Sequence, residues 1–561
     1  MRHAAKMSDR AARTVDIEND GGYGFVERTE SGVVMRSSRV LTCVFSSWLA
    51  MAAGCSSSSG GPGAQDSGAP ETSFPSDSGT SETSTEAGVD SGAPETGSDG
   101  GDATACNSVL PEFVTTSLTL TKACSPYSAP MPVFVGDATH HPILTIEPGV
   151  TVAFASGAYL SIGMDQNTTA PGGLQAVGTA ASPIVLTSSA SNPSAGAWGG
   201  VYFNPTADAT STLSYATVSY AGQRFAPLLN TPVDLGSIYV DAGTQSPQAS
   251  STPLHLLLSN LTISHNGGSG IVFFGPYAGF AASSGQLTIP DWATGGYPIV
   301  IDGNSCDTIP TTLTTGSSGH DGGIGLVQEE QNTGGGGQLI IVHDETWPSL
   351  PIPYIFDASQ FGQVGGCGIF VDGVAGKSTP NTLTIAAPNT IEFTKPTGGG
   401  SCGLVIQTNA PGPVTIGGRL IANGTTSAPI VLTSAQATPQ PGDWGGIEID
   451  ADPAAAGAFG TTSLSYCTIA YAANPGSAYA DGAALFMNGA AATPGTCATF
   501  PQGPSVTHCT FSNYPTGGIV AVDVADYPGP YGGTTDANVF MPATGNTRTT
   551  CDGDTCGNGC N

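Results

Sequence analysis

Glu448 and Asp450 stand two residues apart in the run Ile447-Glu448-Ile449-Asp450. Alternate residues of a strand share a face, so carboxylates at this spacing leave the same side of one strand. Two carboxylates flanking a sugar can serve as acid and base in glycoside cleavage. Paired acids can also hold Ca²⁺. The plainer reading of the same pair is a solvated acidic face. A second acidic group closes the chain, in Cys551-Asp-Gly-Asp-Thr-Cys556-Gly-Asn-Gly-Cys560. There Asp552, Asp554 and Asn558 resemble pieces of a calcium loop, but the twelve-residue spacing and final Glu of such loops are missing. A small disulfide-bonded cap suits that tail better. His140-His141 and His343-Asp344 have no partners at zinc spacing. No Gly-rich phosphate loop and no nucleophile elbow occurs. The chain therefore calls for no cofactor beyond Ca²⁺ and assigns no metal site.

The elements that must carry these residues come from a duplication. Leu174, Pro183-Ile-Val-Leu-Thr-Ser and Ala197-Trp-Gly-Gly return as Leu420, Pro429-Ile-Val-Leu-Thr-Ser and Asp443-Trp-Gly-Gly, each 246 residues later. Upstream, LTIEPGVTVAF (144–154) answers LTIAAPNTIEF (383–393). Downstream, LSYATVSYA (213–221) answers LSYCTIAYA (464–472). A long repeated unit punctuated by Gly is the signature of stacked repeats. Tyr202 and Asn204 are the counterparts of Glu448 and Asp450, so the acid pair belongs to one copy only. Trp198 and Trp444 could stack on sugars. Their recurrence in both copies points instead to a packing role at a coil corner, where the following Gly pair permits a tight bend.

Short apolar runs recur within each copy, among them Val150–Phe154, Ile184–Thr187, Val201–Phe203 and Leu213–Val218. Several alternate with polar residues, and no stretch sustains a 3.6 period between helix caps. Strands this short, without the Asn-Gly or Asp-Gly spacing of hairpins, suggest coils stacked in parallel. Segments 223–257 and 310–338 read as projecting loops. Near neighbours among the cysteines give the pairings Cys106 with Cys124 and Cys367 with Cys402, and pairs within Cys551, Cys556 and Cys560. Cys467 and Cys509, in the matching contexts SYCTI and THCTF, read as stacked inward thiols.

These rungs resemble a right-handed parallel β-helix of the pectin-lyase-like type, as displayed by bacterial surface lipoproteins with a Ser/Gly-rich tether. The resemblance covers roughly residues 110–525 and implies an all-β chain of two tandem related halves. At roughly 20–30 residues per coil it implies about 14–18 rungs, less whatever long loops take. The fold hosts lyases, hydrolases, adhesins and inert stalks, so it does not fix the function. The aspartate motifs of its hydrolases are absent; Gly319-His320-Asp321 is the nearest. Lyase chemistry would need an Arg or Lys over clustered acids, and Arg224 and Arg419 are the cations that could project.

Residues 35–55 hold Arg36, Arg39, an apolar run to Met51, then Ala-Ala-Gly-Cys55. That ending resembles a bacterial lipobox, which implies lipidation of Cys55 and, through its acyl chains, anchorage in a membrane. Residues 1–34 are polar and read as an extension upstream of a true start at Met35. Residues 56–105 are rich in Ser, Gly, Thr, Pro and acids, too poor in apolar surface to offset ordering. Such a tether reaches roughly 40 Å. The expected organisation is thus 1–34 extension, 35–54 signal peptide, 55–105 tether, 106–340 first copy, 341–545 second copy and 546–561 Cys-rich tail.

From Cys55 on lie six of the 13 Lys and Arg and 37 of the 43 Asp and Glu, a formal charge near −31. That excludes the basic footprint that nucleic acid or anionic lipid requires. The expectation is a non-enzymatic protein of the bacterial cell envelope, anchored in the outer membrane. It would bind a polysaccharide or another envelope component through its side faces and loops. The rivals are a polysaccharide lyase or glycoside hydrolase, and a stalk without ligand.

Overall fold

The computed structural model describes residues 15–19, 22–29, 32–36, 106–165, 168–223, 236–243, 253–316, 322–327, 338–358, 367–372, 379–396, 402–406, 417–451, 461–474, 483–489, 498–499, 504–515, 517–522, 524–525, 537–541 and 547–550. Cys55, Arg224, Gly319-His320-Asp321, the tail residues Asp552, Asp554 and Asn558, and the tail cysteines lie outside them. No helix among the described residues is long and apolar enough to cross a membrane.

Contacts divide the chain at Ser98. In the first unit, strands Val15–Asn19, Gly22–Thr29 and Gly32–Arg36 form an antiparallel meander, with Asn19 paired to Gly22. Asp20-Gly21 lies between those partners, the two-residue spacing that hairpins favour.

The second unit is a parallel β-helix. Its continuous feature is a fourteen-stranded sheet, here face one, running from Phe113–Val114 to Val539–Met541. Face one carries an inward column in register: Leu160, Val201, Ile238, Ile271, Ile299, Ile324, Tyr354, Ile391, Leu432, Ile469 and Phe511. All are at most 1 % exposed. Each such side chain contributes about 1.5–3 kcal/mol by leaving water, and none could do so without the rung above and below. One core cluster extends from Leu110 to Ile519. The two copies therefore form one continuous stack. Many coils exceed the expected length: Leu160 and Val201 occupy successive rungs 41 residues apart, Ile271 and Ile299 only 28.

After face one the chain visits face two, then face three, and returns. In the first half these two belong to one eleven-stranded sheet, because strands Thr212–Ser219 and Leu254–Ser264 run unbroken round the edge between them. They turn at Tyr215 and Asn260, whose φ values are 48° and 54°. In the second half faces two and three separate into sheets of seven and five strands. The segments read as loops contain strands. Gly236–Asp241 and Ile324–Val327 add rungs to face one, and Leu313–Thr315 extends the eleven-stranded sheet. Their Gly, Ser and Pro content masked runs of three to six residues, which is all a rung needs.

Equivalent strands of the two copies do not occupy equivalent faces. Leu174 lies on face two and Leu420 on face three. Ile184–Ser188 lies on face three, whereas its counterpart Ile430–Ser434 lies on face one. Val201–Phe203 lies on face one and Ile447–Ala451 on face two. The 246-residue repeat thus spans whole turns plus one face, and the second copy is rotated by one face about the stack axis.

Both Trp residues keep their packing through this rotation. Trp198 and Trp444 are fully buried and lie flat on Phe154 and Phe393, with ring centroids 4.2 and 4.4 Å apart. Each indole N–H donates to a backbone carbonyl at 2.8 Å, of Ser219 and Ala470 respectively. The glycine two places on has φ 124° at Gly200 and 101° at Gly446. A Cβ there would come within 2.5 Å of the Ser237 or Ala483 carbonyl oxygen. The duplicated Trp-Gly-Gly is a corner device, as its recurrence suggested.

Disulfides join Cys106 to Cys124 and Cys367 to Cys402, as the sequence suggested. Cys467 and Cys509 are buried free thiols.

Candidate functional site

Glu448 leaves its strand on the side opposite the inward Ile447 and Ile449, as alternation requires, but it does not reach solvent. Its register neighbours are Val405 and Phe486, with Phe370 one rung further, and Glu448 is 7 % exposed. A solvated acidic face is therefore not what the strand presents here, because Phe370, Val405 and Phe486 beside Glu448 in the outward row are apolar and buried. Its counterpart Tyr202 lies in another covered outward row, in register with Phe134, Ser161 and Tyr239, with Tyr159 packed beside it. The Asp450 backbone pairs with Asn488 on the next rung.

Two of the described cations are engaged away from Glu448. Arg419 lies on face three and donates from Nε to Thr382 Oγ1 at 2.6 Å, one rung back. Lys395 pairs with the buried Asp443 at 3.2 Å. Asp443 also accepts from the Ser434 hydroxyl and the Gln440 amide. Among the described residues no three His, Cys, Asp or Glu side chains converge as a metal site.

What the first half does present is a neutral strip on face three. One outward column in register reads Thr151, Val185, Thr217, Thr262, Thr288 and Thr314. The parallel column two residues on reads Ser128, Ala153, Thr187, Ser219 and Ser264, the Ser219 hydroxyl donating to Thr187 at 2.9 Å. Thr262, Thr288 and Thr314 are exposed, the three earlier rungs half-buried. Tyr215, Asn260 and Gln286 stack along one edge, all with φ near 50°. This backbone costs L-residues about 1–2 kcal/mol each and is uncommon outside Gly, Asn and Asp. It turns the chain between faces and throws Tyr215 outward, 37 % exposed. Tyr220 and His265 border the other edge, their rings stacked at 4.4 Å. Five residue steps of strand lead from Tyr215 to Tyr220, roughly 16 Å, and six rungs run roughly 24 Å. No Asp, Glu, Lys or Arg stands at any of these positions. The signal was legible as Thr and Ser alternating with apolar residues, yet it needed the register to become a strip.

A second group lies inside the stack, near the middle of the chain. On face two a 3₁₀ turn, Gly303–Thr308, takes the place of a strand, held by the Asp302 carboxylate accepting from the Asn304 amide. Asn304 then bridges to the next rung, donating to the Ile340 carbonyl and accepting from the Val342 amide, each at 2.8 Å. Glu345 points inward from the next rung and caps the far end of the turn, its Oε1 accepting from the Asp307 amide at 2.8 Å. Its side chain is fully buried. Its Oε2 makes no hydrogen bond among the described residues, the His343 Nδ1 standing 3.6 Å away. Burial first, then the Asp307 charge, pushes the Glu345 carboxyl up to about 9. Burial and the Glu345 charge push the neighbouring Cys306 thiol well up. A fully enclosed neutral acid cannot touch a substrate, so this group is a strut. Sequence reading passed over Glu345, although the alternation of Glu345-Thr346-Trp347 places it on the inward side with Trp347.

Residues 113–226 and 376–481 match the family model of the pectate-lyase like beta helix domain. The two matched segments fall one in each half of the stack. No curated protein and no solved structure matches the chain.

Proposed function

We propose that this chain is a non-enzymatic glycan-binding β-helix, lipid-anchored at Cys55 and held off the bacterial outer membrane by its tether. The observation that carries the binding role is the exposed neutral strip bordered by Tyr215, Asn260 and Gln286 on one side and His265 on the other. The Tyr215 ring offers an apolar face with a polar tip, which suits a sugar ring laid flat. Asn260 and Gln286 each offer a donor and an acceptor, the pattern that neighbouring sugar hydroxyls complement. The Thr and Ser hydroxyls between them can bond a chain directly or through water. All stand on short strands or their corners, so little ordering is left to offset on binding. The acidity of the chain disfavours nucleic acid.

The test is a titration of the full chain against a panel of polysaccharides with and without Ca²⁺, recording binding and ultraviolet product absorbance together. Saturable binding of a neutral polysaccharide without turnover is expected, weakened about tenfold or more by Tyr215→Ala, a loss of about 1.4 kcal/mol. Unsaturated product or new reducing ends would overturn the non-enzymatic reading. Unchanged affinity in the variant would move the site off this strip.

A further inference from the structure

Cys467 opens the face-one strand Cys467–Ala470, and Cys509 immediately precedes the next one, Thr510–Ser512. Thr468 pairs with Thr510 and Ile469 with Phe511, so the two cysteines are register neighbours on adjacent rungs. Both point inward, 1 % and 0 % exposed. The Cys467 thiol donates to the Ala422 carbonyl at 3.1 Å and the Cys509 thiol to the Thr507 carbonyl at 3.4 Å, and the Cys467 thiol beside it holds Cys509 below the usual thiol range. Cys509 is the member closer to thiolate. The same relation occurs elsewhere in the stack. Cys367 and Cys402 immediately precede Gly368 and Gly403, which pair on adjacent face-two rungs. Those two cysteines are bonded, with Cα atoms 4.5 Å apart. Adjacent parallel strands run about 4.8 Å apart, inside the span that a disulfide bridges.

We propose that Cys467 and Cys509 form a redox site, a dithiol that a low-molecular-weight disulfide converts into a second cross-rung disulfide pinning the last coils of the helix. Cys509 as thiolate attacks one sulfur of the small disulfide, forming a mixed disulfide and releasing one thiolate. Cys467 then gives up its proton and displaces the second thiol. Both cysteine sulfurs are oxidised, the small disulfide is reduced to two thiols, and no other reactant is consumed. Access comes from the end of the stack. Beyond Cys509 only one more face-one strand is described, Val539–Met541, with Val539 48 % and Met541 52 % exposed. Terminal units with little buried surface open first, and their opening would expose both thiols. The bond then ties the penultimate rungs together against the same opening. Cys306 is the internal contrast, a buried thiol whose pKa is raised by burial and surrounding acids, without a cysteine as register neighbour.

The experiment is incubation of the reduced full chain with glutathione disulfide, then non-reducing peptide mapping and hydrogen exchange. Linked peptides joining Cys467 to Cys509, with a mass loss of two hydrogens, are expected. Amide protection across 505–541 should rise about tenfold or more and fall again with a reductant. The same treatment of Cys467→Ala should leave protection unchanged. The proposal is overturned if both thiols stay alkylatable after incubation, if either is recovered bonded to a different cysteine, or if protection rises equally in the variant. The mapping does not depend on a variant folding, and none of these outcomes bears on glycan binding.

Discussion

Replacing Glu345 by Gln should make the protein progressively more stable than its parent as pH rises, which inverts the usual result of deleting a buried capping group. The carboxyl titrates at about 9 in the folded chain against a reference of 4.5. Between those values the folded state holds a proton that the unfolded state releases. The parent's stability from this group is therefore fully present below the unfolded pKa and declines by about 1.4 kcal/mol per pH unit through the window. In Glu345→Gln the new side chain keeps the carbonyl that accepts from the Asp307 amide and has no proton to lose. Its extra amide hydrogen carries a pH-independent cost of about 1–3 kcal/mol if unsatisfied, which makes the absolute difference at one pH a poor readout. The double difference cancels that cost, together with every titrating group whose pKa the substitution leaves unchanged. Taking the variant's stability minus that of the parent, the value at pH 7 should exceed the value at pH 5 by about 2.5 kcal/mol. Urea unfolding of both chains at the two pH values and one salt concentration measures it, with tryptophan fluorescence reporting on Trp347, whose indole donates to the Gly303 carbonyl in the same turn. Equal pH dependences in the two chains would refute a neutral Glu345 and return it to an ordinary ionised cap.

Trp198→Ala and Trp444→Ala should each cost about 3–5 kcal/mol, and hydrogen exchange should show the loss confined to the coils stacked on Phe154 or Phe393 respectively. Gly446→Ala should lower the midpoint of thermal unfolding, because the new Cβ meets the Ala483 carbonyl at 2.5 Å and φ is 101°. Tyr215→Gly relieves a left-handed backbone and should raise stability by about 1 kcal/mol in urea while weakening polysaccharide binding, so that the two readouts move in opposite directions. Glu448→Gln should leave polysaccharide binding unchanged in the same titration, since Glu448 is covered and lies on the opposite half of the stack from the strip.

The fold was legible because a β-helix repeats its evidence. The inward Leu and Ile of PIVLTSS and PIVLTSA, the Trp-Gly-Gly corner and two of the disulfides each follow from a local pattern. Solvation was not legible. Alternation placed Glu448 outward correctly, but whether an outward row meets water depends on its neighbours one rung away, here Val405 and Phe486, some forty residues off in sequence. The strip of Thr151, Thr217, Thr262, Thr288 and Thr314 escaped for the same reason, since uneven coil lengths hide a column that only the register aligns. Glu345 escaped because its partner is a 3₁₀ turn standing where a strand would be, and nothing in Gly303–Thr308 announces that substitution.

The one-face rotation decides how the duplication bears on function. Had the repeat spanned whole turns, each face would carry two equivalent patches and the stack would be bivalent along one side. Instead the counterpart of the outward Thr217 column, around Thr468, lies on face one of the second half. The corner residues change partners accordingly. Tyr215 and Tyr466 are equivalent in sequence, but Tyr466 stands at the edge between faces three and one, stacked on His508 at 4.6 Å. That is the edge where Tyr220 stacks on His265 in the first half. A copy-one residue and a non-equivalent copy-two residue thus build the same Tyr-His pairing along one edge of the prism. Any ligand extended along the stack would meet repeated chemistry at that edge, and different chemistry on the faces either side of it. The duplication is therefore better read as lengthening one surface than as doubling one site.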